Sequence, residues 1–335
     1  GMMIVCTILM GRVLNPVEQV LGVWRSWNST KSAYGRLSNL LEANPQRLTN
    51  MSLPKPIGLV SVEGVTAFPP GNNMAVLSNL TFSISPGDIL GVIGSSGAGK
   101  SSLARVLVGI WASAAGKVRI DGADIYKWNK EELGPSIGYL PQDIELFGGL
   151  VSENIARFGE MDPEKVVTAA KRAGVHDLIL RLPNGYDTVI NDGGAGLSGG
   201  QKQRIGLARA MYDDPSFIVL DEPNSNLDEV GELALITAIQ DLCNCGKTIV
   251  IITHRASTLA VTNKLLVLKD GLMQKFGPTL EVLASINNQN QQQINRMKTS
   301  SANDEHQVAY QSASQNKSTD KISKKANGSA EAANL

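Results

Sequence analysis

The run Gly94-Ser95-Ser96-Gly97-Ala98-Gly99-Lys100-Ser101 has the spacing G-x-x-x-x-G-K-S. Glycines at those positions let the chain wrap until several backbone N–H groups converge on one point, and a helix N-terminus behind them adds a favourable dipole. A phosphate is the ligand such a cradle suits. Lys100 is expected to reach the β- and γ-phosphates, and the Ser101 hydroxyl, followed by Ser102, to ligate Mg²⁺. From residue frequencies, a chance match somewhere in the chain is roughly one in a hundred. Two further groups could act on a bound phosphate. Asp221 can hold Mg²⁺ through water, and Glu222, one residue on, can orient or deprotonate an attacking water. His254 is a third polar residue of this kind. A lone Asp-Glu pair is more often a solvated loop and a lone histidine a structural residue, so their placement decides the reading.

That placement follows from the elements around them. Residues 88–93 read as a buried strand and Lys100 to Ile110 as the helix after the loop. Ser216 to Leu220 is a second apolar strand, ending at Asp221-Glu222. Thr248 to Thr253 is a third, ending at His254. Continuous apolar runs suit parallel strands covered on both faces. Ligands of such sheets gather beyond the carboxyl ends of the strands, where Gly94, Asp221, Glu222 and His254 all emerge.

The chain has 335 residues, 42% hydrophobic and 19% charged, which excludes disorder throughout and allows two domains. Lys plus Arg (31) equals Asp plus Glu (31), so no net field draws the chain onto nucleic acid. Cys6, Cys243 and Cys245 cannot form a disulfide framework, and a lone Cys-x-Cys lacks the second pair of a zinc site. Met2 to Met10 is apolar apart from Thr7. It is too short to cross a bilayer by itself and reads either as a buried or poorly ordered N-terminus or as the tail of a transmembrane helix. After Asn15-Pro16, which resembles a capped helix start, Val17, Val20, Leu21, Trp24, Trp27, Tyr34, Leu37, Leu40 and Leu41 recur mostly at helical steps. The expected organisation is a helical segment over 1–43, a linker over 44–56, a globular domain over 57–286 and a disordered polar tail over 287–335. In that tail 15 of 49 residues are Asn or Gln and only four are Leu, Ile, Val or Phe.

Further motifs carry a resemblance. Leu197-Ser198-Gly199-Gly200-Gln201 resembles the signature of ATP-binding-cassette (ABC) ATPases. Tyr139-Leu140-Pro141-Gln142 resembles their Q-loop, Ser225-Asn226-Leu227-Asp228 their D-loop, and Thr253-His254-Arg255 their switch histidine. Six motifs stand in the family's order over roughly 59–284. More narrowly, Leu146-Phe147-Gly148-Gly149, Glu153 to Phe158, and Asp221 to Asp228 are similar to the permease/ATPase subunit of type I protein secretion systems. Gly11 to Pro16 and the helix bearing Trp24 resemble the end of that family's last transmembrane helix and its descent to the ATPase. Five further helices and most of the sixth would then be missing from this chain.

The resemblance implies an α/β P-loop NTPase core sheet with a helical signature subdomain and an antiparallel β subdomain, preceded by a long helix. It implies ATP and Mg²⁺ as ligands. Gln142, Glu222 and His254 would be catalytic, with Ser101, Gln142 and Asp221 at the metal. Phe68 would stack on adenine where the family usually has a tyrosine. Two copies would close head to tail, Ser198, Gly199 and Gly200 of one facing the nucleotide of the other, with Asp228 communicating across the dimer. The implied setting is the bacterial inner membrane, the ATPase on its cytoplasmic face. The implied partners are a membrane domain, a periplasmic adaptor, an outer-membrane channel and a secreted protein cargo. Three alternatives compete: an exporter of lipid, drug or peptide; a soluble ABC ATPase outside transport; and a cassette that binds nucleotide only to regulate. Those soluble proteins generally carry a coiled-coil insertion or two cassettes, and neither interrupts Lys100 to Asp221. The presence of Gln142, Glu222 and His254 disfavours the regulatory reading.

Overall fold

The computed structural model describes residues 1–43, 52–72 and 74–288. Most of the expected linker and nearly all of the expected tail lie outside the described residues. The chain divides into two compact units, Gly1–Leu53 and Pro54 onward.

The first unit is one helix, α1 (Met2–Ala43). It does not start at Asn15, as the capping pattern suggested, but runs straight through Pro16. Proline inside a helix removes one backbone hydrogen bond and crowds the preceding turn. The helix nevertheless continues on both sides of that missing bond. Met3, Val13, Trp24, Trp27 and Leu41 are all exposed in this unit. Met2–Glu42 is long and apolar enough to cross a membrane, by length and composition.

In the second unit the strands follow in order as β1 (Val60–Ala67), β2 (Leu77–Ile84), β3 (Ile89–Gly94), β4 (Ala115–Ile120), β5 (Ala123–Asp124), β6 (Ile137–Leu140), β7 (Gly149–Leu150), β8 (Val189–Ile190), β9 (Phe217–Asp221), β10 (Thr248–Ile252), β11 (Lys264–Lys269) and β12 (Leu272–Pro278). The helices that matter for the site are α2 (Lys100–Leu107), α4 (Val151–Ile155), α5 (Pro163–Arg172), α7 (Gly199–Met211) and α8 (Glu229–Asn244). Short α3 (Lys130–Leu133), α6 (His176–Leu180) and α9 (Ala256–Leu259) and three 3₁₀ turns are also present among the described residues. The central sheet has the order β12-β11-β3-β10-β9-β6, parallel except for the antiparallel edge strand β12. A second, antiparallel sheet has the order β2-β1-β4-β5, and β7 pairs with β8.

The apolar runs of the central strands are explained by two cores, one on each face. Successive side chains of a strand point to opposite faces. Ile218, Leu220, Ile249 and Ile251 accordingly join a core built with α4 to α8. Phe217, Val219, Val250 and Ile252 join the other, with α2 and the antiparallel sheet. All of these side chains are buried, each contributing roughly 1.5–3 kcal/mol of hydrophobic stabilisation. A sheet covered on both faces leaves only its strand ends for chemistry. The register fixes those ends together, because Ile252 pairs with Asp221 and with Val92.

Candidate functional site

The loop after β3 forms the floor. The Lys100 side chain folds back over it, its Nζ donating to the carbonyls of Gly94 and Ser95, both at 2.9 Å. Gly99 caps α2 with φ 95°, and a Cβ there would sit 2.8 Å from the Val76 carbonyl. Only glycine fits both conditions. A Cβ on Gly94 would likewise run into the Leu268 carbonyl. The loop thus lies flush against the end of β11 and the start of β2, and is closed on itself by the Ala98 N–H donating to the Ser95 carbonyl at 3.2 Å.

Asp221 ends β9 and is 1% exposed. Burial raises its pKa above the ordinary carboxylate value. A hydrogen bond to Ser101 opposes that rise, Glu222 adds to it, and Arg105 and Lys100 lower it. Its Oδ1 is buried with no hydrogen-bond partner. An orphaned carboxylate oxygen beside a serine hydroxyl is a donor set that suits a hard cation such as Mg²⁺.

Glu222 adopts φ 50°, the left-handed region, which is unfavourable for a residue with a side chain. Its N–H donates to the Ile252 carbonyl at 2.9 Å, and its own carbonyl accepts from Gln203 Nε2 at 3.1 Å. The carboxylate is thereby turned to meet two side chains. His254 Nε2 lies 3.1 Å from Oε1, and Gln142 Nε2 donates to Oε2 at 3.4 Å. A cleft of about 290 Å³ is lined by Val76, loop residues Ser96, Gly97, Gly99, Lys100, Ser101 and Ser102, and then Gln142, Glu222 and His254. Residues from five separate stretches of sequence converge there.

Other expected site residues lie elsewhere. Phe68 follows β1 and is 39% exposed, but Val76 rather than Phe68 lines the cleft. Leu197, Ser198, Gly199, Gly200 and Gln201 stand at the start of α7, outside the cleft lining. There Ser198 and Gln201 cap each other: the Ser198 N–H donates to Gln201 Oε1 at 2.8 Å and the Gln201 N–H to Ser198 Oγ at 3.2 Å. Asp228 caps α8 by accepting from the Gly231 N–H at 2.9 Å, and pairs with Arg204 of α7. The Gly231 hydrogen bond foremost, then Arg204, holds its carboxyl below the ordinary range despite an opposing desolvation effect.

Gln203 escaped the sequence reading, and Asn224 entered it only as part of the stretch from Asp221 to Asp228, with no role of its own. Gln203 is 1% exposed and Asn224 3% exposed. Asn224 Nδ2 donates to Thr258 Oγ1 at 3.2 Å, and its Oδ1 accepts from Thr253 Oγ1 at 3.4 Å. The signal for Gln203 was present: it occupies the same stripe of α7 as the buried Leu207 and Ala210, where an apolar residue is the rule.

Comparison with known proteins agrees with this geometry. A family profile described as ABC transporter matches residues 77–225. The type I secretion system ATP-binding protein PrsD of Rhizobium meliloti (strain 1021) is 47% identical over 287 residues, 85% of this chain and 49% of that protein. The leukotoxin translocation ATP-binding protein LktB of Mannheimia haemolytica is 33% identical, over 86% of this chain and 41% of its own length. Among solved structures, a bacterial Atm1-family ABC exporter with ATP bound is similar at a TM-score of 0.72 and 29% identity, covering 82% of this chain and 49% of that one. The chain spans about half the length of these relatives. The matched stretch holds the loop after β3, Gln142, Asp221 and Glu222, so residues 77–225 belong to the ABC transporter family.

Proposed function

We propose that this chain is an energy-coupling subunit of a type I protein secretion exporter, binding ATP and hydrolysing it to drive transport. Hydrolysis is carried chiefly by one observation. Glu222 is held in a strained backbone conformation with Gln142 and His254 on its two carboxylate oxygens, at the rim of the phosphate-loop cleft. The exporter reading is supported by the names of PrsD and LktB, and by an exposed α1 of membrane-spanning length.

The residues divide the work as follows. Gly94 to Ser102 wrap the phosphates, and Lys100 exchanges its two carbonyl partners for β- and γ-oxygens. Ser101, Asp221 and Gln142 would hold Mg²⁺, which would supply positive charge to neutralise that developing on the leaving phosphates. Glu222 accepts a proton from the attacking water, and His254 keeps the carboxylate aimed while contacting the γ-phosphate. Phe68 supplies the adenine contact once nucleotide binds. Ser198, Gly199 and Gly200 of a second copy offer the N-terminus of α7 to the same γ-phosphate, and Asp228 relays the state of one site to the other. Loss of the γ-phosphate removes what holds the copies together, and the dimer opens. A membrane domain, a periplasmic adaptor, an outer-membrane channel and a protein cargo complete the assembly at the inner membrane, with residues 57–286 on the cytoplasmic face.

Glu222→Gln tests the chemistry. Steady-state hydrolysis of Mg-ATP should fall by about 10²–10⁴-fold, while ATP still binds and a nucleotide-bound dimer accumulates in sedimentation. Wild-type turnover by that variant would remove Glu222 from the mechanism.

A further inference from the structure

We propose that Gln203, on the signature helix α7, is a positioning residue that holds Glu222 in its working conformation and couples it to residues 225 and 226. This rests on the reading of Glu222 as the residue that activates water. The Gln203 side chain is 1% exposed, and both ends of its amide are used. Nε2 donates to the Glu222 carbonyl at 3.1 Å. Oε1 accepts from Ser225 Oγ at 3.2 Å and from Asn226 Nδ2 at 3.1 Å. One buried amide therefore joins three pieces of chain: α7, the end of β9, and the turn leading to Asp228.

The position of Glu222 explains why such a grip matters. Its φ of 50° is one that a residue with a side chain leaves when released. Three bonds oppose that relaxation, one on the N–H and two on the carbonyl. The N–H is tied to the Ile252 carbonyl of β10, and the carbonyl is tied to Gln203. Without Gln203 the carbonyl keeps only the Ser225 N–H, at 3.2 Å. A peptide free to turn there swings the carboxylate off Gln142 and His254 together. Gln203 does not itself line the cleft and meets Glu222 at its backbone carbonyl, so its contribution is to orientation and not to nucleotide affinity. The same amide gives α7 a direct lever on Glu222: a shift of α7, or of Ser225 and Asn226, pulls on the Glu222 peptide. A second copy engaging these segments can thus set the hydrolytic residue without touching it.

The test uses the full 335-residue chain, with Glu222→Gln as the reference and two variants of the buried amide. Gln203→Glu keeps the acceptor for Ser225 and Asn226 but sets an oxygen against the Glu222 carbonyl. Gln203→Leu removes both ends. Measured quantities are kcat, KM and the Kd for ATP without Mg²⁺. Displacement of a reacting group costs roughly 10- to 100-fold in turnover. That is the loss expected in kcat for both variants, with KM and Kd within about twofold of wild type. A kcat close to wild type overturns the proposal while an inactive Glu222→Gln leaves the reading of Glu222 standing. A Kd that worsens in step with kcat also overturns it, because Gln203 would then only support the fold. If neither Gln203 variant folds, Ser225→Ala and Asn226→Ala decide. Each removes one donor to the amide oxygen, and a severalfold loss of kcat at unchanged Kd is expected. Unchanged kcat in both sinks the lever. Should Glu222→Gln turn over like wild type, both the reading and this inference fall.

Discussion

At the residue scale the site is built from groups that stability alone would not select. Asp221 is buried as a carboxylate with one oxygen unpartnered, and burial outweighs the Ser101 hydrogen bond in setting its pKa. A carboxyl whose pKa is raised on folding contributes stability below its unfolded pKa and loses it as pH rises through the folded value. The charged form is therefore a net cost to the folded state, reduced by Ser101, Arg105 and Lys100 and further offset when a cation arrives. Asp221→Asn should stabilise the nucleotide-free chain by about 1 kcal/mol, raising Tm by about 2–4 °C. It should also abolish the extra stabilisation that Mg²⁺ adds to ATP. Thermal scans with and without Mg-ATP check both halves, and a destabilised apo variant would contradict the argument. These residues were legible because their motifs are local: the spacing from Gly94 to Ser101 and the pair Asp221-Glu222 are contiguous in sequence. The roles of Gln203 and Asn224 were not, because the value of a buried amide depends on partners brought in from elsewhere in the chain.

At the element scale, strands were read more accurately than helix ends. The expected strands at 88–93, 216–220 and 248–253 appear as β3, β9 and β10, each within one residue, because their side chains fill two cores and admit no polar interruption. The helix after the phosphate loop stops at Leu107 and not Ile110, since Gly109 takes φ 71° and turns the chain out of the helix. Pro16 misled in the opposite direction, as α1 continues through it. The motif Leu146 to Gly149 with Glu153 and Asn154 also gains a structural meaning. Asn154 is fully buried and bonds both the N–H and the carbonyl of Phe147, and Glu153 accepts from the Leu150 N–H at 2.7 Å. This pinned loop leaves the Phe147 ring 60% exposed.

Arg157 ties the helical layer to the sheet without any carboxylate. Its guanidinium donates to the carbonyls of Arg209, Gly134, Ile137, Ala210 and Tyr212 at 2.8–3.3 Å. Desolvation pulls its pKa below the usual arginine value, with Asp213 opposing the shift and Arg209 adding to it. Lysine has a single ammonium and cannot reproduce a planar fork. Arg157→Lys should cost on the order of 2 kcal/mol and Arg157→Met about 3 or more. Denaturant titration at unchanged m-value measures this, and a variant as stable as wild type would show that the carbonyls find other donors.

At the scale of the whole molecule, the cleft residues and the signature do not meet within one chain. The cleft lining ends at His254, while Ser198, Gly199 and Gly200 sit at the start of α7 outside it. This separation is what a site shared between two copies requires, and it is the central claim of the proposed mechanism. Gly199 offers a clean probe. A side chain there meets nothing closer than Asn226 at 3.5 Å, and an acidic residue in the first turn of a helix is tolerated. Gly199→Asp should therefore fold, yet repel a γ-phosphate presented by another copy. Lys100→Ala disables the copy's own phosphate loop. The decisive measurement is Mg-ATP hydrolysis by the two variants separately and after co-assembly. Each alone should be inactive. Together they should recover up to about a quarter of the wild-type rate, because half of randomly assembled dimers hold one intact shared site of two. Full activity of Gly199→Asp alone, or no recovery on co-assembly, would contradict a nucleotide held between copies.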